Sequence, residues 1–371
     1  VMIEMIYCTK CLMPSTRPRI QYNDEGVCNA CQWAEEKKNL DWATRWKLLE
    51  EKCEMYKKRN QGRFDVIVPY SGGKNGAYIA YTLKTKLGMN PLCVTIRPPM
   101  EDPLGLQNIK IFQDQGYDHL FITPNRLLER KIDKDNFINK GIPMHAFMIC
   151  VQTAIMRSAV EFDIPFVMFA EEGEAEYGGS TKLKNSSTYS VQDGINFYLS
   201  GVDPAKYVEE YDEGQLYWFL YPPHEDIERV KPEISHWSYF ENFVNYEHYL
   251  VAKEKLGLLE RPQRNIGAIE NFSATDTNLI HLYFYLMYIK FGFGRTTSEI
   301  GNDIRRGATT RNQAINITKK FDGEYPEEHI ESYLEYYDMS LNEFNAVIDK
   351  WANKDLFEKK NGRWTPLFTI H

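Results

Sequence analysis

Four cysteines stand in two close pairs near the start of the chain, Cys8-Thr9-Lys10-Cys11 and Cys28-Asn29-Ala30-Cys31, with sixteen residues between the pairs. Each CxxC knuckle turns two thiolates to one side of a tight loop, and two knuckles at this separation can close a tetrahedron around one zinc ion. Four protein ligands leave no position for water or substrate, so Cys8, Cys11, Cys28 and Cys31 are expected to hold structural Zn²⁺. A redox role would need only one such pair.

A second group is Tyr70-Ser71-Gly72-Gly73-Lys74-Asn75-Gly76, which follows the β-branched run Asp65–Tyr70 and precedes helical spacing from Ala77 to Leu87. A glycine loop between a strand and a helix presents backbone N–H groups and a helix dipole to an anion, so Ser71 to Gly76 read as a phosphate loop with Lys74 facing the phosphate. The spacing fits neither GxxxxGK[ST] nor GxGxxG, which disfavours a kinase-type loop and a dinucleotide fold.

Glu171, Glu172, Glu174 and Glu176 follow the apolar run Pro165–Ala170, at the carboxyl end of an expected strand, where open α/β sheets bind ligands. Arg97 ends another such run, and Arg295, Arg305 and Arg306 bracket an expected helix, where guanidinium forks would suit a diphosphate. Cys93, Cys150, His145 and His281 sit in stretches that read as packing. No Ser-His-Asp or HExxH arrangement is visible.

The elements that must hold these residues alternate. Short runs at 65–70, 92–96, 119–123 and 165–170 are separated by helical stretches at 77–87, 105–115 and 144–162, which implies a parallel sheet covered on both faces. After Gly201 the spacing turns helical and aromatic, with Thr310 and Ser340 as N-caps. The expected organisation is a zinc module over 1–38, a linker helix over 39–63, an α/β domain over 64–200 and a helical region over 201–371. With 371 residues and 43% hydrophobic content, the chain has ample material for a core. Its net charge of −8 disfavours nucleic acid as a general partner. The longest apolar run, Leu282 to Ile289, is too short to span a bilayer, and Val1 to Ile6 lack the marks of a secretion signal. Seven cysteines without such a signal point to a reducing cytoplasm and to no membrane.

The loop SGGK, followed by the position of an acid, resembles the SGGxD loop of the PP-loop ATP pyrophosphatases, which cleave ATP to AMP and pyrophosphate. The leading CxxC pairs, the segment VPYSGGKNGAY, the stretch EEGEAEYGG from Glu171 to Gly179 and GFGRTTSEIGNDIRRG from Gly292 to Gly307 together resemble the N-acetyl sugar amidotransferases of bacterial surface-polysaccharide and nonulosonic-acid biosynthesis. The resemblance runs from about Tyr7 to about Asp322, and the last fifty residues fall outside it. It implies a PP-loop α/β fold of the adenine nucleotide alpha-hydrolase type, with ATP, Mg²⁺ and structural Zn²⁺.

It further implies that ATP adenylates an acetamido oxygen on an N-acetylated nucleotide sugar or sugar acid, and that ammonia then displaces AMP to leave an acetamidino group, as in O-antigen biosynthesis. Ammonia would come from a separate glutaminase resembling that of imidazole-glycerol-phosphate synthase, and a homo-oligomer is left open. On this resemblance Lys74, Asn75, Glu172 and Glu174 are the catalytic candidates, Ser71, Gly72, Gly73, Lys74, Asn75, Gly76 and Arg97 bind the nucleotide, and Tyr177, Gly178, Gly179, Arg295, Arg305 and Arg306 bind the sugar. Asn75 departs from the family, which has aspartate there, and an amide is a poor ligand for Mg²⁺. The change reads as engineered, as natural with another acid substituting, or as the mark of an inactive relative. A PP-loop enzyme that modifies tRNA and a disabled ATP-binding scaffold are the competing functions.

Overall fold

The computed structural model describes residues 4–371. Val1, Met2 and Ile3, part of the stretch read for a secretion signal, lie outside the described residues. In chain order the elements are α1 (Asn29–Lys37), α2 (Trp42–Arg59), β1 (Val66–Pro69), α3 (Lys74–Thr85), β2 (Pro91–Ile96), α4 (Pro103–Gln113), β3 (Asp118–Ile122), α5 (Arg126–Lys140), α6 (His145–Glu161) and β4 (Phe166–Phe169). They continue with α7 (Gly173–Tyr177), α8 (Val191–Tyr198), α9 (His224–Val230), β5 (Glu233–His236), α10 (Asn245–Leu256), α11 (Leu279–Phe291), α12 (Arg295–Arg305), α13 (Arg311–Phe321), α14 (Ile330–Tyr337), α15 (Leu341–Trp351), β6 (Phe357–Lys360) and β7 (Arg363–Pro366).

Five strands form one parallel sheet in the order β3-β2-β1-β4-β5. Alternate residues feed two cores, as the two-residue period of a strand requires. Ile67, Val94, Val167 and Ile234 pack with α5, α6 and α11, while Val66, Val68, Cys93, Phe166 and Met168 pack with α2, α3 and α10. The chain leaves β1 toward β2 on one side and returns through β4 on the other, so the sheet's switch point lies between the carboxyl ends of β1 and β4. The glycine loop follows β1 and the acidic stretch follows β4, which brings both to that crevice.

Thr310 and Ser340 each form a capping box, with Gln313 and Glu343 returning the bond. Residues 201–371 are mainly helical, as the spacing implies, with two additions: β5 joins the sheet beside β4, and β6 pairs with β7 as a hairpin. Glu233-Ile234-Ser235-His236 contains a single aliphatic residue and so carries no strand signal of its own. Its pairing with β4 is a tertiary effect.

The segment before α11 returns to the sheet. Thr277 bridges Glu101, and Asp102 N–H donates to Asp276 O at 2.9 Å. A side chain at Gly105 would lie 2.4 Å from Thr275 O, so this approach depends on glycine. Among the described residues, no helix is long and apolar enough to cross a membrane.

Candidate active site

α3 starts at Lys74 with Gly73 as N-cap, and no side chain caps its first turn, so the orphan N–H groups face the loop. Gly72 has φ of 89°, and a side chain there would meet Gly105 O at 2.7 Å. The loop borders a cavity of about 390 Å³ with one apolar wall: Val94 and Ile96 of β2, Phe147 and Val151 of α6, and Phe169 of β4. Ser71, Gly73, Lys74, Asn75 and Gly76 all line it. A polar, cationic rim over an apolar slot suits a phosphate-bearing molecule with a flat apolar part.

Lys74 is buried and donates from Nζ to Ser273 Oγ at 2.8 Å, while Ser273 donates in turn to Glu270. Burial holds the Lys74 ammonium below its ordinary pKa, partly countered by Glu270. Phe272, Ser273, Thr275 and Asp276 complete the lining, so the C-terminal half closes the cavity. Asp276 is the one carboxylate in that lining, and burial pushes it up to about 6.

Asn75 sits in a relay that runs in one direction. His248 Nδ1 lies 3.1 Å from Asn75 Oδ1, Asn75 Nδ2 donates to Asn245 Oδ1 at 3.0 Å, Asn245 Nδ2 donates to Tyr177 Oη at 3.4 Å, and Tyr177 donates to Glu171 Oε1 at 3.0 Å. The relay joins the glycine loop to the acidic loop through α10. Burial pushes His248 down to about 3, so its ring is neutral and donates from Nδ1.

The other acidic-loop residues are held by local partners. Glu172 caps α7, accepting from Glu174 N–H at 3.2 Å and Ala175 N–H at 2.8 Å, and burial pushes its carboxyl up to about 7. Glu174 takes both ends of the Arg19 guanidinium at 2.8 and 2.7 Å and accepts from Ser180 N–H at 2.6 Å. A side chain at Gly179 would fall 2.0 Å from Glu174 Oε2, so this glycine makes room for the carboxylate. Gly178 ends α7 with φ of 91°. Glu176 pairs with Lys37 at 2.8 Å and ties the loop to α1.

Cys8, Cys11, Cys28 and Cys31 are buried, with all four Sγ atoms within 4.8 Å of one another. Cys11 and Cys28 Sγ are 3.6 Å apart and Cys8 and Cys31 Sγ 3.9 Å, close to the edge of about 3.8 Å of a tetrahedron with Zn–S bonds of about 2.3 Å. The set fits one ion. Backbone N–H groups of Lys10, Cys11 and Cys28 point at Cys8 Sγ at 3.4, 3.4 and 3.2 Å, which stabilises a thiolate.

Arg305 lies on this cluster, 3.9 Å from Cys31 Sγ and bonded to Asn302 Oδ1 at 2.8 Å. The three sequence-selected arginines therefore do not form one patch. Arg295 opens α12 and bonds Glu299 Oε1 at 2.7 Å, ten residues or about 15 Å along the helix from Arg305. Arg306 bonds Asp303 at 2.8 Å and covers the Tyr246 ring. Arg305 and Arg306 border a cavity of about 410 Å³ and Arg295 another of about 380 Å³; Tyr177 lines both. Arg97 pairs with Glu101 at 2.6 and 2.5 Å and is absent from the lining of the loop cavity.

Residues 266–369 match the family described as LPS biosynthesis protein WbpG-like, C-terminal domain. This WbpG-like segment starts at the return to Lys74 and includes α11 to β7, so it takes in most of the last fifty residues that matched nothing in the sequence reading. No match is found among curated proteins. Among solved structures, a predicted subunit of tRNA methyltransferase from Methanocaldococcus jannaschii shares 17% identity over 57% of this chain and 81% of its own, with a TM-score of 0.26. U34-tRNA thiolase NcsA from Methanococcus maripaludis with its 4Fe-4S cluster shares 12% identity over 86% of this chain and 90% of its own, with a TM-score of 0.31.

Asn245, His248, Ser273 and Asp276 were not legible as site residues, because each lies far along the chain from the loop it meets. The only available signal was the polar spacing of Asn265 to Asp276 ahead of an apolar helix.

Proposed function

We propose that the chain is an ATP-dependent amidotransferase that converts an acetamido group on a sugar to an acetamidino group in surface-glycan biosynthesis, in the cytoplasm. The observation that carries this reading is the loop cavity. It combines an uncapped helix start, Lys74 and an apolar slot at the sheet's switch point, and it is closed by the segment that begins the WbpG-like match. ATP would lie with its base in the slot and its phosphates on Ser71 to Gly76.

The acetamido oxygen would attack the α-phosphorus, and the bond to the β-phosphate oxygen would break to release pyrophosphate. Ammonia would then add to the imidate carbon, and the C–O bond would break so that AMP leaves with the former amide oxygen. An amide oxygen is a very poor leaving group and a phosphate ester a good one, which is what the adenylation would accomplish. Lys74 would hold phosphate charge. Mg²⁺, which neutralises the departing pyrophosphate when bound, would draw on Asp276 as the carboxylate of the lining. Ammonia from a separate glutaminase is part of the proposal.

One observation favours a disabled scaffold as a second reading. Both amide atoms of Asn75 are occupied by uncharged partners, His248 and Asn245, so the position offers no anionic oxygen. The test is AMP and pyrophosphate release from Mg-ATP with ammonium and a pool of acetamido sugars, for this chain and for Asn75→Asp. Sugar-dependent AMP from either supports the amidotransferase; ATP binding without AMP from both supports the scaffold.

A further inference from the structure

Three of the four glutamates that follow β4 are committed to holding their own loop. Glu172 caps α7 through the N–H groups of Glu174 and Ala175, Glu174 is forked by Arg19, and Glu176 pairs with Lys37. Glu171 is not so committed. Tyr177 Oη donates to its Oε1 at 3.0 Å, and among the described residues Oε2 has no hydrogen-bond partner. The Tyr177 hydroxyl itself accepts from Asn245 Nδ2 at 3.4 Å, so its single proton is directed to Glu171, and this carboxylate is the end of the relay from His248. Its neighbours place it between two cavities. Ala170, the residue before it, lines the loop cavity. Burial lowers Lys74, and Glu171 is one of the anions, after Glu270, that oppose this. Burial and then the Glu171 charge raise Tyr177, while burial, Glu172 and Glu171 in turn raise Tyr198. Both tyrosines line the cavity of about 380 Å³ beside Arg295. The partly exposed Glu171 therefore acts on the loop cation on one side and on the wall of the neighbouring cavity on the other.

Amidine formation needs a base at such a junction. When ammonia adds to the adenylated imidate through its lone pair, the new nitrogen becomes an ammonium. One of its N–H bonds must break before that nitrogen, or the original acetamido nitrogen, can form the C=N bond as the C–O bond to AMP breaks. The acetamido nitrogen and ammonia together bring four hydrogens and the amidinium product keeps three, so one proton leaves in each turnover. Tyr177 is the wrong group to take it, because its proton already points to Glu171. We propose that Glu171 Oε2 is the base that takes this proton, passes it to solvent, and then pairs as a carboxylate with the amidinium. The role as base rests on the amidotransferase reading; the preference for an amidinium rests on the uncommitted carboxylate alone.

The test starts with calorimetry on the full chain in the presence of AMP, with acetamidinium chloride as the product probe and acetamide as the neutral control. Acetamidinium should bind about tenfold or more tighter than acetamide. Glu171→Gln keeps an oxygen for Tyr177 and should remove that advantage with AMP affinity and thermal midpoint held, while Glu172→Gln should retain it. The proposal is overturned if the two probes bind alike, if Glu171→Gln leaves acetamidinium unchanged, or if the loss follows Glu172→Gln instead. In whichever chain forms amidine, this one or Asn75→Asp, Glu171→Gln should slow amidine formation by about 10²–10⁴-fold. Sugar-dependent exchange of pyrophosphate into ATP should continue in that variant, because adenylation precedes the proton transfer. Amidine formed at the parental rate would sink the role of Glu171 and leave the reaction. Acetamidinium binding that depends on Glu171, in a chain that releases no AMP with any acetamido sugar, would uphold the amidinium pairing and sink the base together with the reaction.

Discussion

His248 Nδ1 lies 3.1 Å from Asn75 Oδ1, and the same asparagine turns its Nδ2 to Asn245 Oδ1 at 3.0 Å. The loop position where the resembling family carries a carboxylate is therefore held between two uncharged partners. Replacing Asn75 with aspartate would put an anion against the imidazole and favour its protonated form. We expect His248 to rise from about 3 by about one to three pH units in Asn75→Asp, read by NMR titration of the ring nitrogens. An unmoved His248 would mean that the two side chains do not meet.

Lys74 is the loop's only cation, and it is aimed by Ser273 from the other half of the chain. Lys74→Met should weaken ATP by about tenfold or more, since a charge-assisted contact is lost. Ser273→Ala should have a smaller effect, because it removes only the group that orients the lysine. Calorimetry with ATP separates the two, and equal losses would contradict this ordering.

Gly179 leaves space for Glu174, which Arg19 and the Ser180 amide hold in place. A methyl group at this position cannot coexist with the carboxylate, so Gly179→Ala should lower stability by about 1–3 kcal/mol in denaturant unfolding. A neutral effect would show that the Glu174–Arg19 pair can move at little cost.

The four thiolates should bind about one zinc per chain, and Cys28→Ser should lose it along with stability of several kcal/mol. Arg311 donates to Cys8 O and Cys11 O, and Phe293 packs into the same cluster, so the loss should loosen α12 and α13 as well. Hydrogen exchange confined to residues 4–38 would contradict that coupling.

Asp133 is fully buried and accepts from Tyr337 Oη at 3.0 Å, and burial pushes it up to about 7. Between its ordinary value of 3.8 and about 7 the folded chain keeps a proton that the unfolded chain releases, so this group's contribution to stability falls as pH rises through that window. Asp133→Asn should gain relative to the parent chain by up to about 4 kcal/mol between pH 4 and pH 8. A pH-independent difference would place the Asp133 carboxylate in water.

The parts legible in the sequence were those whose signal is local. Two CxxC pairs, the run from Val66 to Pro69 with its glycine loop, and the capping residues Thr310 and Ser340 each declare themselves within a few positions. What stayed hidden was made by long-range contact. β5 gains its strand conformation from β4, Asp276 reaches the loop cavity through the bridge of Thr277 to Glu101, and Arg305 is drawn to the thiolates by the fold of α12. Charge type alone could not separate Arg295 from Arg305, since one helix carries them to different cavities.

The central claim is that the acetamido oxygen leaves the sugar on AMP. An acceptor labelled with ¹⁸O in its acetamido group, incubated with Mg-ATP, ammonium and the Asn75→Asp chain, should give AMP that carries the label and an acetamidino sugar that has lost it. Unlabelled AMP, or label retained in the sugar, would contradict adenylation of the amide and with it the amidotransferase account.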